Sequence, residues 1–244
     1  MGNVTNSAVE QQNSKKQQVR SMFNNIAHRY DFLNHFLSAG IDYSWRRKAI
    51  KLMGRKNPKT ILDVATGTGD LAIEALKINP EKIIGVDIAE DMLEFGRKKL
   101  TEKKLQDKIT LETGDSENLR FGDASFDAVM VAFGVRNFEN LEKGLSEMFR
   151  VINQNGQVMI LEFSKPKKFP VKQLYNFYFR FILPSLGKMI SGDSSAYTYL
   201  PESVGKFPDG DAFLNILQKI GFKEVKQIKL TFGIASIYWG LKAS

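Results

Sequence analysis

The chain contains no cysteine and only two histidines, His28 and His35. Without cysteine there can be no disulfide, no thiolate-held zinc or iron–sulfur centre, and no cysteine nucleophile. This suits a reducing compartment. No ligand-type side chains cluster at metal spacing, so no metal is expected. The two histidines read as solvent-facing or packed, not catalytic. Long hydrophobic runs are also missing: nothing reaches the roughly 18 apolar residues of a membrane span. The first twenty residues are polar and lack the apolar core of a signal peptide. A soluble, cytoplasmic protein is the expectation. What remains, 244 residues of which 43% are hydrophobic, is enough to bury a sizeable core.

The net charge of +8 is unevenly spread. Residues 1–57 carry ten Lys/Arg against three Asp/Glu, and residues 165–188 carry six Lys/Arg and no acid. The remainder is acidic. Two basic segments on an acidic body would orient toward an anionic surface, nucleic acid or membrane, unless they are simply solvated helix faces.

From residue 60 apolar runs alternate with amphipathic ones. "TILDVA", "KIIGVD", "KITLETG", "FDAVMVAF" and "GQVMILEF" read as strands, with helices in "GDLAIEALKI", "AEDMLEFGRKKLTE" and "NLEKGLSEMFRVI". Strands separated by helices predict parallel βαβ units in a doubly wound α/β sheet. "FKEVKQIKL" and "GIASIYWGLKA", joined by a short turn with Gly233, predict a terminal hairpin that makes one edge antiparallel. The expected organisation is an amino-terminal helical extension or lid over 1–57 and a seven-stranded domain over 58–244, with a helical insert near 165–207. The Gln/Asn/Ser/Lys-rich first 18 residues are expected to be mobile. In the insert Leu174, Phe177, Tyr178, Phe181 and Ile182 recur at helical spacing beside a polar stripe of Lys172, Asn176 and Arg180. Such an aromatic stripe commonly enters a core. The alternative is that it covers a greasy substrate or touches a membrane.

"ILDVATGTGDLA" puts a Gly-rich turn between the first strand and the first helix. Gly67 and Gly69 let the backbone lie against a ligand there. Asp87 ends the second strand, where a carboxylate can accept ribose hydroxyls. These features suit a nicotinamide dinucleotide or S-adenosylmethionine. Asp63, inside the first strand, separates the two: it would repel a pyrophosphate and attract the cationic amino-acid end of S-adenosylmethionine. Asp115 and Ser116 follow the third strand, suited to an adenine amino group. The terminal hairpin also matches the sheet of class I S-adenosylmethionine-dependent methyltransferases.

After the fourth strand stands "AFGVRN", not the Asn/Asp-Pro-Pro-aromatic motif of amino-methylating nucleic-acid enzymes. Without cysteine the chain cannot activate a pyrimidine carbon covalently. An electron-rich hydroquinone carbon needs no such activation. Arg136 would stabilise a phenolate as it forms, and Asn137 would hydrogen-bond an oxygen. The competing reading makes Arg136 a structural ion pair with Glu139 or Asp31.

"YDFLNHFLSAGIDYSWRR" (30–47), "RVINQNGQVMILEFSKP" (150–166), "FGVRN" and "YTYLPESVGKFP" together resemble the quinone C-methyltransferases of menaquinone and ubiquinone biosynthesis, from about residue 20 to the end. The family usually has histidine where Asp42 stands, and a Lys-Pro-Gly turn joining helix to strand where Asn153-Gln154-Asn155 stands, so a turn is expected there. The resemblance implies cofactor contacts at Thr68, Asp87, Asp115 and Ser116. It implies a demethylated polyprenyl quinol as substrate, such as demethylmenaquinol, methylated at a ring carbon. That substrate lies in the bilayer, so the basic segments and the insert would dock peripherally on anionic lipid at the inner face of the membrane. Tyr30 and Asp31 could line the site, with Asp31 or a water as base, or they could form a helix break that holds the lid. No nucleic-acid partner is expected, since no RNA module is present. Benzoquinol as substrate, a soluble phenol as substrate, and a homodimer stay open.

Overall fold

The computed structural model describes residues 14–31, 38, 40–182 and 195–243. Helix α1 (Lys15–Ile26) opens on Ser14, whose side chain accepts from the Gln17 backbone while Gln17 reaches back to the Ser14 N–H. This reciprocal cap satisfies two of the helix's orphan donors. The helix therefore starts inside the stretch expected to be mobile. His28 is exposed in the 3₁₀ turn that follows, and His35 lies outside the described residues.

The elements after α1 run α2 (Ile41–Met53), β1 (Thr60–Val64), α3 (Asp70–Ala75), β2 (Lys82–Asp87), α4 (Glu90–Glu102), β3 (Ile109–Thr113), β4 (Phe126–Ala132), α5 (Leu141–Val151) and β5 (Ile152–Phe163). The insert contributes α6 (Val171–Phe177), a π-turn over Tyr178–Ile182, and α7 (Ser195–Lys206). Helix α8 (Asp211–Ile220), β6 (Lys223–Leu230) and β7 (Ala235–Leu241) complete the described chain. The seven strands form one sheet in the order β3-β2-β1-β4-β5-β7-β6. β1 to β5 pair in parallel, and β7 pairs antiparallel with both β5 and β6. The predicted fold class is the observed one. Its order reverses between β1 and β4, which opens a crevice at their carboxyl ends.

The alternation of side chains along each strand builds two cores. On one face Ile61, Met130, Met159 and Ile237 pack with Trp45, Ala49, Ile50 and Met53 of α2. On the other Leu62, Val129, Val158 and Tyr238 pack with α5 and α8 through Leu145, Met148, Phe213 and Leu217. Helix α2 is thus a layer of the domain and not an appendage in front of it, because Ala49, Ile50 and Met53 are fully buried against the sheet.

Two further expectations need correction. The predicted turn at Asn153-Gln154-Asn155 lies within β5, which already pairs at Ile152 with Phe126 and resumes at Gln157 opposite Ala128 after an irregularity. The aromatic stripe of the insert is not core: Leu174, Phe177 and Phe181 are 65%, 56% and 54% exposed. No described helix is long and apolar enough to cross a membrane.

Candidate active site

The turns after β1 and β4 approach so closely that a β-carbon on Gly134 would lie 2.6 Å from the β-carbon of Ala65. Ala65 and Phe133, one in each turn, adopt left-handed backbone conformations with φ of 54° and 57°. A non-glycine residue holds such a conformation only where its surroundings enforce it. Both residues line the crevice. Gly67 (φ 57°) closes the first turn beneath Met92 and Tyr30, where a β-carbon would press on the Met92 terminal methyl at 3.2 Å.

Around this floor the structure gathers Tyr30, Gly67, Asp87, Asp115, Ser116 and Asn137 into one crevice. Asp87 accepts the Gly67 N–H with Oδ2 and the Ala89 N–H with Oδ1, each at 2.9 Å. Each oxygen keeps a lone pair for an outside donor. Burial pushes the Asp87 carboxyl above its ordinary value despite those bonds. Asp115 holds the Glu117 N–H at 2.9 Å and Lys16 Nζ at 2.7 Å. Burial acts to raise its pKa, but the Lys16 bond and the Glu117 N–H outweigh it, leaving the carboxyl below the usual range.

Helix α1 roofs the crevice. Lys16, Val19 and Phe23 line it from above, and Lys15 Nζ donates to the backbone carbonyls of Arg136 and Phe138 at 3.2 and 2.5 Å. The two lysines tie the helix to the chain after β3 and the chain after β4.

Asp63, Thr68, Gly69, Asp31 and Arg136 do not line this crevice. Asp63 sits under the Gly-rich turn, 1% exposed, with Oδ2 accepting the Thr66 hydroxyl at 2.6 Å and Oδ1 buried without a partner. Burial pushes its carboxyl up to about 7. Gly69 (φ 82°) precedes α3 as its cap. Thr68 donates its hydroxyl to Asp31 Oδ1 at 2.5 Å, and Lys99 Nζ lies 2.5 Å from Asp31 Oδ2 and 2.7 Å from Asp70 Oδ1. Arg46 extends the chain of charges from Asp70 to Asp42. Asp31 thereby ties the end of the α1 segment to the Gly-rich turn and to α4.

Arg136 faces the insert side of the crevice wall. Its Nη1 lies 2.9 Å from Glu162 Oε1 and also donates to the Phe133 carbonyl, so its partner is neither Glu139 nor Asp31. Its guanidinium carbon stands 5.5 Å from the Phe163 ring centre. Nε is buried with no partner among the described residues. Asn137 links the two sides: it lines the crevice and accepts the Tyr199 hydroxyl of α7 at 3.1 Å.

Sequence reasoning passed over Glu162, Tyr199, Lys15, Lys16 and Phe23. Glu162 had a signal, an acid inside an apolar strand. The others meet the site through helix packing that no local pattern encodes.

Lone pairs on Asp87 and acceptors at Asp115 and Ser116 fit a ribose and an adenine amino group, with the Asp63 carboxyl buried just beneath the turn. Residues 11–242 match the model of the ubiE/COQ5 methyltransferase family. Demethylmenaquinone methyltransferase of Bacteroides fragilis is 49% identical over 93% of this chain and 94% of its own. The protein of the same name from Porphyromonas gingivalis is 46% identical, with the same coverages. A ubiquinone/menaquinone biosynthesis C-methyltransferase from a Geobacter species is 46% identical over 93% of this chain and 97% of its own. Among solved structures, a putative S-adenosyl-L-methionine-dependent methyltransferase of Methanococcus maripaludis superposes with a TM-score of 0.63 at 19% identity, covering 91% of this chain and 94% of that one. The [4+2]-cyclase SpnF superposes with a TM-score of 0.64 at 15% identity, covering 94% and 97%. A fold shared with a cyclase does not choose a reaction. By its sequence the chain belongs to the ubiE/COQ5 methyltransferase family.

Proposed function

We propose that this protein methylates a ring carbon of a demethylated polyprenyl quinol, converting demethylmenaquinol to menaquinol. S-adenosylmethionine supplies the electrophilic methyl group. Asp63, buried beneath the Gly-rich turn, would favour its ammonium through that turn by charge, the free lone pairs of Asp87 would take its ribose, and Asp115 and Ser116 its adenine. Gly67 and Gly69 keep the turn low enough for a ligand to lie on it. Thr68, whose hydroxyl serves Asp31, would contribute through its backbone.

The observation that carries the reading is Arg136: a guanidinium buried beside the crevice wall, with a donor that nothing in the described chain satisfies. A buried donor without a partner is costly, and a substrate oxygen would complete it. Developing negative charge on a phenolic oxygen is stabilised there by the positive guanidinium. Asn137 and Tyr199 would hold the ring against the crevice. Tyr30 forms part of the roof over it. Asp31 acts as an anchor between lid and Gly-rich turn, which leaves water as the proton acceptor.

Helix α1, with Lys15 and Lys16, would act as the lid over the cofactor. The insert would rest on anionic lipid through Lys167, Lys168, Lys172 and Arg180, sinking Phe169, Leu174, Phe177 and Phe181 among the acyl chains. Phe169 is 81% exposed, a poor placement in water. The protein thus works peripherally at the inner face of the membrane.

Purified protein incubated with S-adenosylmethionine and reduced demethylated quinone should yield the methylated ring. A demethylated benzoquinol in parallel decides between the two substrate classes. Equal rates with and without the prenyl tail would favour a soluble phenol.

A further inference from the structure

We infer that Glu162 is a positioning residue that turns one particular edge of the Arg136 guanidinium toward the substrate oxygen. The inference rests on the quinol reading above. Glu162 is the penultimate residue of β5, directly opposite Ser236 of β7, and it is fully buried. Its carboxylate grips Arg136 twice. Oε1 receives Nη1 at 2.9 Å and the Phe163 N–H at 2.8 Å, while Oε2 faces the Arg136 backbone N–H at 3.4 Å.

Nη1 has two hydrogens. One is committed to Glu162 and the other to the Phe133 carbonyl, so this corner of the guanidinium is spent. In a planar guanidinium Nε and Nη2 then form the remaining fork, which can bind an oxygen with two roughly parallel N–H bonds. Nε is the buried donor without a partner, and no hydrogen bond engages Nη2 among the described residues. The Phe163 ring beside the guanidinium limits its rotation.

The chemistry needs such a brace. An arginine left to choose its rotamer would spread its donors over many geometries, and a misplacement of about an ångström can cost a factor on the order of a hundred in rate. Glu162 comes from β5, a central strand paired on both sides, so it brings the rigidity of the sheet to a residue in the turn after β4. Its negative charge also offsets that of the buried guanidinium without occupying the fork.

The test uses the full chain with S-adenosylmethionine and 2-prenyl-1,4-naphthoquinol, kept reduced in detergent. The variants are Glu162→Gln, Arg136→Lys, Arg136→Leu and the double variant Arg136→Leu/Glu162→Gln. Glu162→Gln should lower kcat roughly tenfold to a hundredfold. Its affinity for S-adenosylhomocysteine should stay within about twofold of the parent. On the Arg136→Leu background the Glu162 substitution should cost nothing more, because a positioning residue has no work once its target is gone. Arg136→Lys keeps a cation able to pair with Glu162 but lacks the fork, so it should melt like the parent and turn over as poorly as Arg136→Leu. This variant decides the matter even if Glu162→Gln fails to fold.

Parental kcat in Glu162→Gln would overturn the inference, as would losses that multiply in the double variant, or an active Arg136→Lys. If the parent leaves the quinol unmethylated, or Arg136→Leu keeps full activity, the underlying reading has failed instead.

Discussion

Lys16 Nζ, on the helix over the crevice, lies 2.7 Å from Oδ2 of Asp115, the residue proposed to take the adenine amino group. A second carboxylate, Glu117, stands 3.6 Å from the same nitrogen. The helix is thus fastened to an acid of the crevice beneath it. Lys16 is about a third exposed, so the pair contributes no more than about 1 kcal/mol. Lys16→Ala should speed dissociation of S-adenosylhomocysteine about two- to fivefold, and salt should bring the parent toward the variant. Stopped-flow release at low and high ionic strength measures both. An unchanged release rate would remove Lys16 from the lid.

Asp63 gives a pH dependence with a definite sign. Burial raises its folded pKa to about 7, above the ordinary 3.8, so between these values the folded state holds a proton that the unfolded state gives up. Stability from this group is present at low pH and is lost as pH rises from about 4 toward 7. Asp87 and Glu162 are raised by burial too and add slopes of the same sign. Asp63→Asn should flatten the fall of Tm between pH 5 and 8 relative to the parent. At pH 8 it should also weaken S-adenosylmethionine binding, by about tenfold or more for a lost charge-assisted contact. Thermal melts and calorimetric titration at the two pH values check this. A steeper slope, or unchanged affinity, would contradict the role.

Asp31→Asn separates anchor from base. As an anchor, Asp31 loses part of its bonding to Lys99 and Thr68, worth about 1–2 kcal/mol. That corresponds to a Tm fall of about 2–8 °C for a chain of this size, with kcat within about threefold. A hundredfold fall in kcat with an unchanged melt would make it the base, a general-base contribution being typically of that order or more.

For the insert, exchanging Leu174, Phe177 and Phe181 together for serine removes the exposed apolar face and leaves Lys172 and Arg180 in place. Co-sedimentation with anionic vesicles should drop, and activity on vesicle-borne prenyl quinol should fall with it. Activity on a tail-less quinol should persist. Loss on both substrates alike would point to a packing role.

Much of the fold was legible because "KIIGVD" and "FDAVMVAF" are short, branched apolar runs bounded by turn residues, a pattern that buried parallel strands impose. The role of α2 was not, since Ala49, Ile50 and Met53 make an ordinary amphipathic face that does not say which surface it meets. The crevice acids Asp87 and Asp115 were readable from their places at strand ends. The partner of Arg136 was not: Glu139 is near in sequence, whereas Glu162 becomes a neighbour only when β4 and β5 pair. The Arg136–Glu162 pair and the Lys16–Asp115 pair arise only in the tertiary structure.

The central claim is methyl transfer to a ring carbon of a quinol. Incubating the protein with S-adenosylmethionine deuterated in its methyl group and reduced demethylmenaquinone, then fragmenting the product by mass spectrometry, tests it most directly. One trideuteromethyl group should be retained on the naphthalene ring. A quinol without label, or a label lost as a methyl ether from oxygen, would contradict it.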